Sequence, residues 1–275
     1  MPPDERTLLD QARGNFLALA LAAVSRGLML RDSLLGVTRR LRRHPARERI
    51  SLSSGDRILS AVCVVSGPDA PNLLICHGIG ETVEHWSAVQ ALLCDLGINS
   101  MIFNYSGYAR STGRIRPENC DQDSVSAYAT LRNRVGPSAP IFLLGFSLGS
   151  GIAAHGASAL SPPIAGLFLC EAFDSLRNAA NAAGAPRWLT RIIPDRWNTI
   201  TAVPHIRVPI YVIHCTGDRL FPLEMPRKIA AASNGHAELL IIQGLSHGEP
   251  YLTASKPYWL PIFARIKRAS AASQS

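Results

Sequence analysis

The sequence predicts an α/β protein built on a mostly parallel sheet with helices on both faces. Three observations carry that expectation. From residue 48 onward, short apolar runs alternate with longer segments of helical spacing. Runs such as "APIFLLGF" (139–146) and "IAGLFLCE" (164–171) are almost wholly apolar, as strands covered on both faces are. Only the first two runs follow one another without a helix between them, which marks an antiparallel edge.

The elements can be taken in order. "ERISLSSGDRILSAVCVV", residues 48–65, reads as two strands around the turn signal Ser54-Gly55-Asp56. "NLLIC", 72–76, is a third strand that ends at His77-Gly78. Residues 85–97 have helical spacing and stop at Gly97. "INSMIFNY" is the fourth strand. Residues 116–136 form a helix with Pro117 near its start and Gly136 at its end, the favoured ends for each. The fifth strand, 139–146, runs into a small-residue helix over 148–160, and the sixth strand follows at 164–171. "VPIYVIHCTGD" (208–218) is the seventh strand and its exit. A helix over 222–235, an eighth strand at 237–244 and a final helix over 256–269 complete the pattern. The long departure is 172–207, with Pro186, Trp188, Pro194 and Trp197, read as a short cap insertion.

Bulk composition narrows the classes. The 275 residues are 47% hydrophobic and 17% charged, which excludes a wholly disordered chain. Net charge is +8, and residues 1–50 supply +5 of it, ten arginines against five acids. The rest is nearly balanced and shows no nucleic-acid motif, so the basic character is local to the N-terminus. The six cysteines form no C-x-x-C pair, and Cys63, Cys76, Cys170 and Cys215 fall in or at the end of apolar runs. Free thiols in a reducing compartment, the cytoplasm, are expected.

Residues 14–25 are uncharged between Arg13 and Arg26, but twelve residues are too few to span a bilayer. The opening "MPPDERTLLD" is more acidic than basic, unlike a secretory signal. A helix over about 7–42 is expected, with Leu9, Phe16, Leu19, Ala23, Leu30 and Leu34 near one face. Residues 1–47 thus read as a basic helical extension of a catalytic domain over 48–270. Either the helix packs on the domain or a second subunit, or it lies on an anionic membrane with "TRRLRRHPARER" (38–49) against lipid phosphates, at the inner face. Oligomeric state is not legible.

Gly145-Phe146-Ser147-Leu148-Gly149 fits G-x-S-x-G between a strand and a helix. A sharp turn there holds the Ser147 hydroxyl above the sheet. The base and its orienting acid belong at the carboxyl ends of later strands. Asp218 follows the seventh strand and His247 follows the eighth. Glu171, closing the sixth strand, is the serious rival acid. His214 and His155 read as packing residues, while His44, His205 and His236 lie outside strand ends. The negative oxygen formed during attack needs preorganised N–H donors. Leu148 is one candidate. Ile79, in the loop His77-Gly78-Ile79-Gly80 after the third strand, is the other, with Gly80 as the alternative.

In their order, HGIG, GFSLG, TGD and SHG make residues 48–268 resemble the serine α/β-hydrolases. "NYSGYARSTGR", "EAFDSLRNAA" and "DRWNTI" resemble the small-cap branch that contains membrane-tethered protein depalmitoylases and their bacterial relatives. Two departures stand out. The branch's Asp-Tyr-Arg-Gly-Tyr is here Asn104-Tyr105-Ser106-Gly107-Tyr108, and no cysteine precedes Cys63. The resemblance implies a mostly parallel eight-stranded α/β-hydrolase fold and hydrolysis of an ester or thioester through an acyl-serine. It implies no metal and no organic cofactor. Trp86, Phe146 and Trp188 are candidates for contact with an apolar acyl group. Phe173, Trp188, Leu189, Ile192, Ile193 and Trp197 form either a lid over an acyl pocket or a helix packed into the domain. The same triad also serves aminopeptidases, for which Glu81 or Glu84 would anchor the amine, and acyltransferases. A non-catalytic binding protein is the remaining alternative.

Overall fold

The structure, a computed structural model, describes residues 5–34, 46–161 and 163–272. The predicted runs become β1 (Arg47–Ser54), β2 (Arg57–Val64), β3 (Asn72–Cys76), β4 (Asn99–Phe103), β5 (Ile141–Phe146), β6 (Gly166–Cys170), β7 (Ile210–Cys215) and β8 (Ala237–Ile242). They form one sheet in the order β1-β2-β4-β3-β5-β6-β7-β8. β2 pairs antiparallel with β1 and with β4, and every other pairing is parallel. The expected antiparallel edge is therefore present.

The longer helices are α1 (Glu5–Leu34), α2 (Ser87–Asp95), α3 (Pro117–Val135) and α4 (Leu148–Ala157). The short α5 (Leu176–Ala182), α6 (Arg187–Thr190) and α7 (Thr199–Ala202) follow. The chain closes with α8 (Glu224–Ala232), α9 (Glu249–Leu252) and α10 (Lys256–Ala272). Alternate strand residues supply the two cores, as the period of two requires. Leu73 and Ile75 of β3 face α2 and α10, where Val89, Leu93, Trp259 and Ile262 cover them. Leu74 and Cys76 face the opposite layer, which draws on α3 and α4 through Tyr128, Leu131 and Ile152.

Residues 172–207 hold α5, α6 and α7. The segment is tied to α3 by Asp121, whose Oδ1 accepts Trp197 Nε1–H at 2.6 Å and whose Oδ2 accepts from Arg196 at 2.5 Å. Asn104, in place of the branch's aspartate, accepts the Val83 N–H through Oδ1 at 2.9 Å and so braces the loop after β3.

α1 corrects one expectation. Leu17, Leu21, Ser25 and Asp32 are its buried positions, while Leu9, Leu19, Ala23 and Leu30 are exposed. The inward face is set by polar and small residues that a hydrophobic stripe does not count. Ser25 Oγ lies 2.6 Å from Tyr108 Oη in a buried hydrogen bond, and Asp32 lies 3.3 Å from His85 Nε2. The expected continuation of the helix beyond Leu34, and residues 38–45 of the arginine-rich stretch, lie outside the described residues. So does His44.

Candidate active site

Ser147 stands between β5 and α4 at φ 51°, ψ −119°, a conformation that costs a non-glycine residue strain. Such strain persists where the surroundings enforce it. Here a Cβ on Gly145 would overlap the Gly149 carbonyl, and a Cβ on Gly149 would overlap the Cys76 carbonyl at the end of β3. Both flanking glycines are thus required by close backbone approach. The Ser147 N–H donates to Cys170 O at 3.0 Å, tying the turn to the end of β6.

Three side chains from separate strand exits converge. His247, after β8, places Nε2 2.9 Å from Ser147 Oγ and Nδ1 2.7 Å from Asp218 Oδ2. Asp218, after β7, accepts the Leu220 and Phe221 N–H groups on Oδ1 at 2.7 and 3.1 Å. Burial pushes the Asp218 carboxyl up. The hydrogen bond and charge of His247 and the two N–H donors outweigh it, and the carboxyl stays below its ordinary value of 3.8. Phe146 and Phe221 hold the imidazole between ring centroids 5.6 and 5.1 Å away.

Glu171 does not touch His247. Its Oε2 accepts the Cys215 N–H at 3.2 Å and lies 3.4 Å from His214 Nδ1. Burial, with the Asp218 charge adding to it, pushes Glu171 up to about 8. His214 is buried, as its place in a strand suggested, with Nε2 3.0 Å from Phe221 O. His155 instead lies on the surface of α4, 3.6 Å from Asp121, which holds its pKa above the usual value. Among the described residues, Glu171, His214 and Asp218 are the one trio with metal-ligand chemistry, their donor atoms within 4.8 Å of one another. Glu171 Oε2, His214 Nε2 and the Asp218 carboxylate already engage Cys215, Phe221 and His247, while Glu171 Oε1 and His214 Nδ1 have no hydrogen-bond partner.

The loop after β3 is held rigidly. Gly78 N–H and Trp86 Nε1–H both donate to Glu81 Oε2, at 2.9 and 2.8 Å. Tyr105 Oη donates to His77 O at 3.2 Å. Burial lowers His77 to about 3, so its ring is neutral at physiological pH. Burial raises Glu81 to about 8 despite both donors. Ile79 and Leu148 border the same cavity as Ser147. Leu148 begins α4, where the first N–H groups have no partner within the helix.

The cavity has a volume of about 400 Å³. Apart from Ser147 and Thr190, every residue lining it is apolar, and the Thr190 hydroxyl donates to Asn181 Oδ1 at 2.7 Å. Of the six cap residues named for a lid, Phe173, Leu189 and Ile193 line it, whereas Trp197 is packed into the core and Ile192 and Trp188 are exposed. The three acyl-contact candidates lie elsewhere. Trp86 is fully buried between Phe146, Tyr251 and Trp259. Phe146 is buried beside it, and Trp188 is 72% exposed to solvent. The indole of Trp86 donates to Glu81, and Trp188 on α6 faces solvent. The lining missed by sequence reasoning comes from α1 and from the alanines of α5, residues with no chemical signature.

A family model described as the α/β-hydrolase fold matches residues 71–195. With the sheet order and strand-exit geometry above, that decides the class. The chain has the α/β-hydrolase fold. Solved α/β-hydrolases superpose on it. The Pyrococcus furiosus esterase Pf2001 does so with a TM-score of 0.67 at 18% identity, covering 82% of this chain and 91% of its own. An α/β-hydrolase of Vibrio vulnificus gives 0.69 at 17%, covering 86% and 92%. In sequence, the chain is 27% identical over 189 residues to a Mycobacterium tuberculosis protein, 68% of this chain and 66% of that one. It is also 27% identical over 192 residues to the lysophosphatidylserine lipase ABHD12 of Danio rerio, 60% of this chain and 50% of the relative. The chain spans about half to two thirds of the length of these curated relatives.

Proposed function

We propose that this α/β-hydrolase cleaves a carboxylic ester or thioester of an apolar acyl group through an acyl-serine intermediate. The observation that carries the reading is the unbroken hydrogen-bonded chain Asp218–His247–Ser147 opening into an apolar cavity. His247 Nε2 takes the Oγ proton as Ser147 attacks the acyl carbon. The Leu148 and Ile79 N–H groups receive the developing oxyanion. The C–O or C–S bond then breaks, and His247 returns the proton to the leaving alcohol or thiol. Water, deprotonated by the same imidazole, attacks the acyl-serine and releases the acid. Asp218 keeps Nδ1 protonated and stabilises the imidazolium.

An aminopeptidase reading lacks its anchor. Glu84 is held by Arg47 and Arg49, and Glu81 is buried on Gly78 and Trp86. Acyl transfer would share the acyl-serine and differ in the nucleophile that resolves it. The lysophosphatidylserine lipase relatives support an acyl-lipid substrate, and the exposed apolar face of α1 supports its delivery from a membrane surface. Among the described residues, no helix is long and apolar enough to cross a membrane.

A fluorophosphonate probe tests the reaction. It should label Ser147, and Ser147→Ala should abolish labelling and lower ester turnover roughly ten-thousand-fold or more. Undiminished labelling of that variant overturns the mechanism.

A further inference from the structure

Two helices wall the cavity at Ser147. From α1 come Phe16, Leu17, Ala20, Leu21 and Val24, one continuous helical stripe. From α5 come Leu176, Ala179 and Ala180, continued by Ala183 just past its end. Elements that pack directly leave few voids larger than a water molecule. Here both stripes line one cavity, Ala20, Ala179, Ala180 and Ala183 among them, and about 400 Å³ stays open.

A loosely seated helix does not account for the gap. Ser25 of α1 is hydrogen bonded to Tyr108 at 2.6 Å, Asp32 reaches His85, and Leu28 packs against Gly80 in the loop after β3. α1 is fastened at its C-terminal half to the loop after β3, which borders the reacting serine, and to Tyr108 in the loop after β4. An apolar space of this kind favours apolar guests over water.

We propose that α1 is one wall of the acyl-binding channel and that Ala20 and Ala180 set its bore. The acyl group it takes is a linear chain of about 10–14 carbons, on the reasoning that a methylene occupies close to a water's share of volume, ~30 Å³. The proposal rests on the acyl-serine reading and extends it to the substrate. α1 lies outside residues 71–195, the stretch the family model matches, so this wall comes from the N-terminal segment that precedes it. The channel offers no free polar side chain along its length, since the Thr190 hydroxyl is engaged. A polar acyl group is thereby disfavoured.

The test is a series of p-nitrophenyl esters from acetate to palmitate on the full chain, wild type against Ala20→Phe and Ala180→Leu. Wild-type kcat/KM should climb with chain length and peak at about 10–14 carbons. Ala20→Phe should move the peak to shorter esters and cut decanoate or laurate turnover by about tenfold or more, with butyrate within about threefold, since each buried methylene is worth about fourfold. If Ala20→Phe does not fold, Ala180→Leu on the facing wall carries the same expectation, with a melting curve to show that it is folded. Folded variants that hydrolyse butyrate yet keep the wild-type profile overturn the channel, as does a wild-type optimum at acetate. Wild type that hydrolyses no ester and takes no fluorophosphonate at Ser147 overturns the acyl-serine reading instead.

Discussion

Glu171 and Asp218 sit within 4.8 Å of one another at the ends of adjacent strands, yet their carboxyls are driven in opposite directions. Asp218 has an imidazole and two N–H groups to hold its charge. Glu171 has one N–H and a neighbour of its own sign, so it keeps its proton. Glu81 is raised to about 8 in the same way by burial. Stability follows by linkage. Between an ordinary 4.5 and about 8, the folded chain holds a proton on each glutamate that the unfolded chain has lost. The folded state is therefore destabilised progressively as pH rises from about 4.5 to about 8, and the effect levels off above. Glu81→Gln and Glu171→Gln imitate the protonated acids. Their melting temperatures should be close to wild type at pH 5 and above it at pH 9, and thermal melts across that range check the crossing. Glu81→Ala removes the acceptor of Gly78 and Trp86 altogether, and a loss of about 1–3 kcal/mol is expected at any pH. In the sequence, Ser147, Asp218 and His247 were legible because each stands at a strand exit with a glycine within two residues. Glu81 was legible only as an acid near the site. Its work depends on burial and on two donors, and neither is written in local spacing.

At the scale of elements, strands proved easier to read than the faces of helices. A strand buried on both sides announces itself by unbroken apolar residues, whereas α1 carries leucines all around. Its inward face is selected by shape and by hydrogen bonding. Ser25 is buried because Tyr108 receives it, and Leu19 is 72% exposed although it is more apolar. This assigns measurable weight to one contact. Ser25→Ala or Tyr108→Phe alone leaves a buried hydroxyl without its partner, at a cost of about 1–3 kcal/mol. The double variant removes both hydroxyls and should lose less than the sum, leaving a coupling of about 0.5–1.5 kcal/mol in a double-mutant cycle followed by urea denaturation. Strict additivity would show that α1 does not dock through this pair. The alanines that leave the channel open were invisible for the same reason, because space is a property of two facing elements and not of either one's sequence.

For the whole molecule, exposed cations and exposed apolar side chains share α1. Residues 1–50 carry +5 of the net +8. Arg13, Arg26 and Arg31 are exposed on α1, as are Leu8, Leu9, Leu19 and Leu30. Val24, 50% exposed, belongs both to this surface and to the cavity lining, so the apolar path from Ser147 reaches solvent at α1. Trp188 stands exposed on the cap, next to the cavity-lining Leu189. A surface of cations and apolar side chains at the mouth of an acyl channel fits a lipid interface better than a water-soluble ester. The chain should co-sediment with vesicles containing anionic phospholipid, bind zwitterionic vesicles less, and lose part of the difference in raised salt as headgroup attraction is screened. Leu19→Glu changes an exposed residue without touching the channel. It should weaken vesicle binding while leaving hydrolysis of a soluble butyrate ester unchanged. Equal sedimentation of Leu19→Glu and wild type on every vesicle would remove α1 from the membrane contact and leave it the channel wall alone.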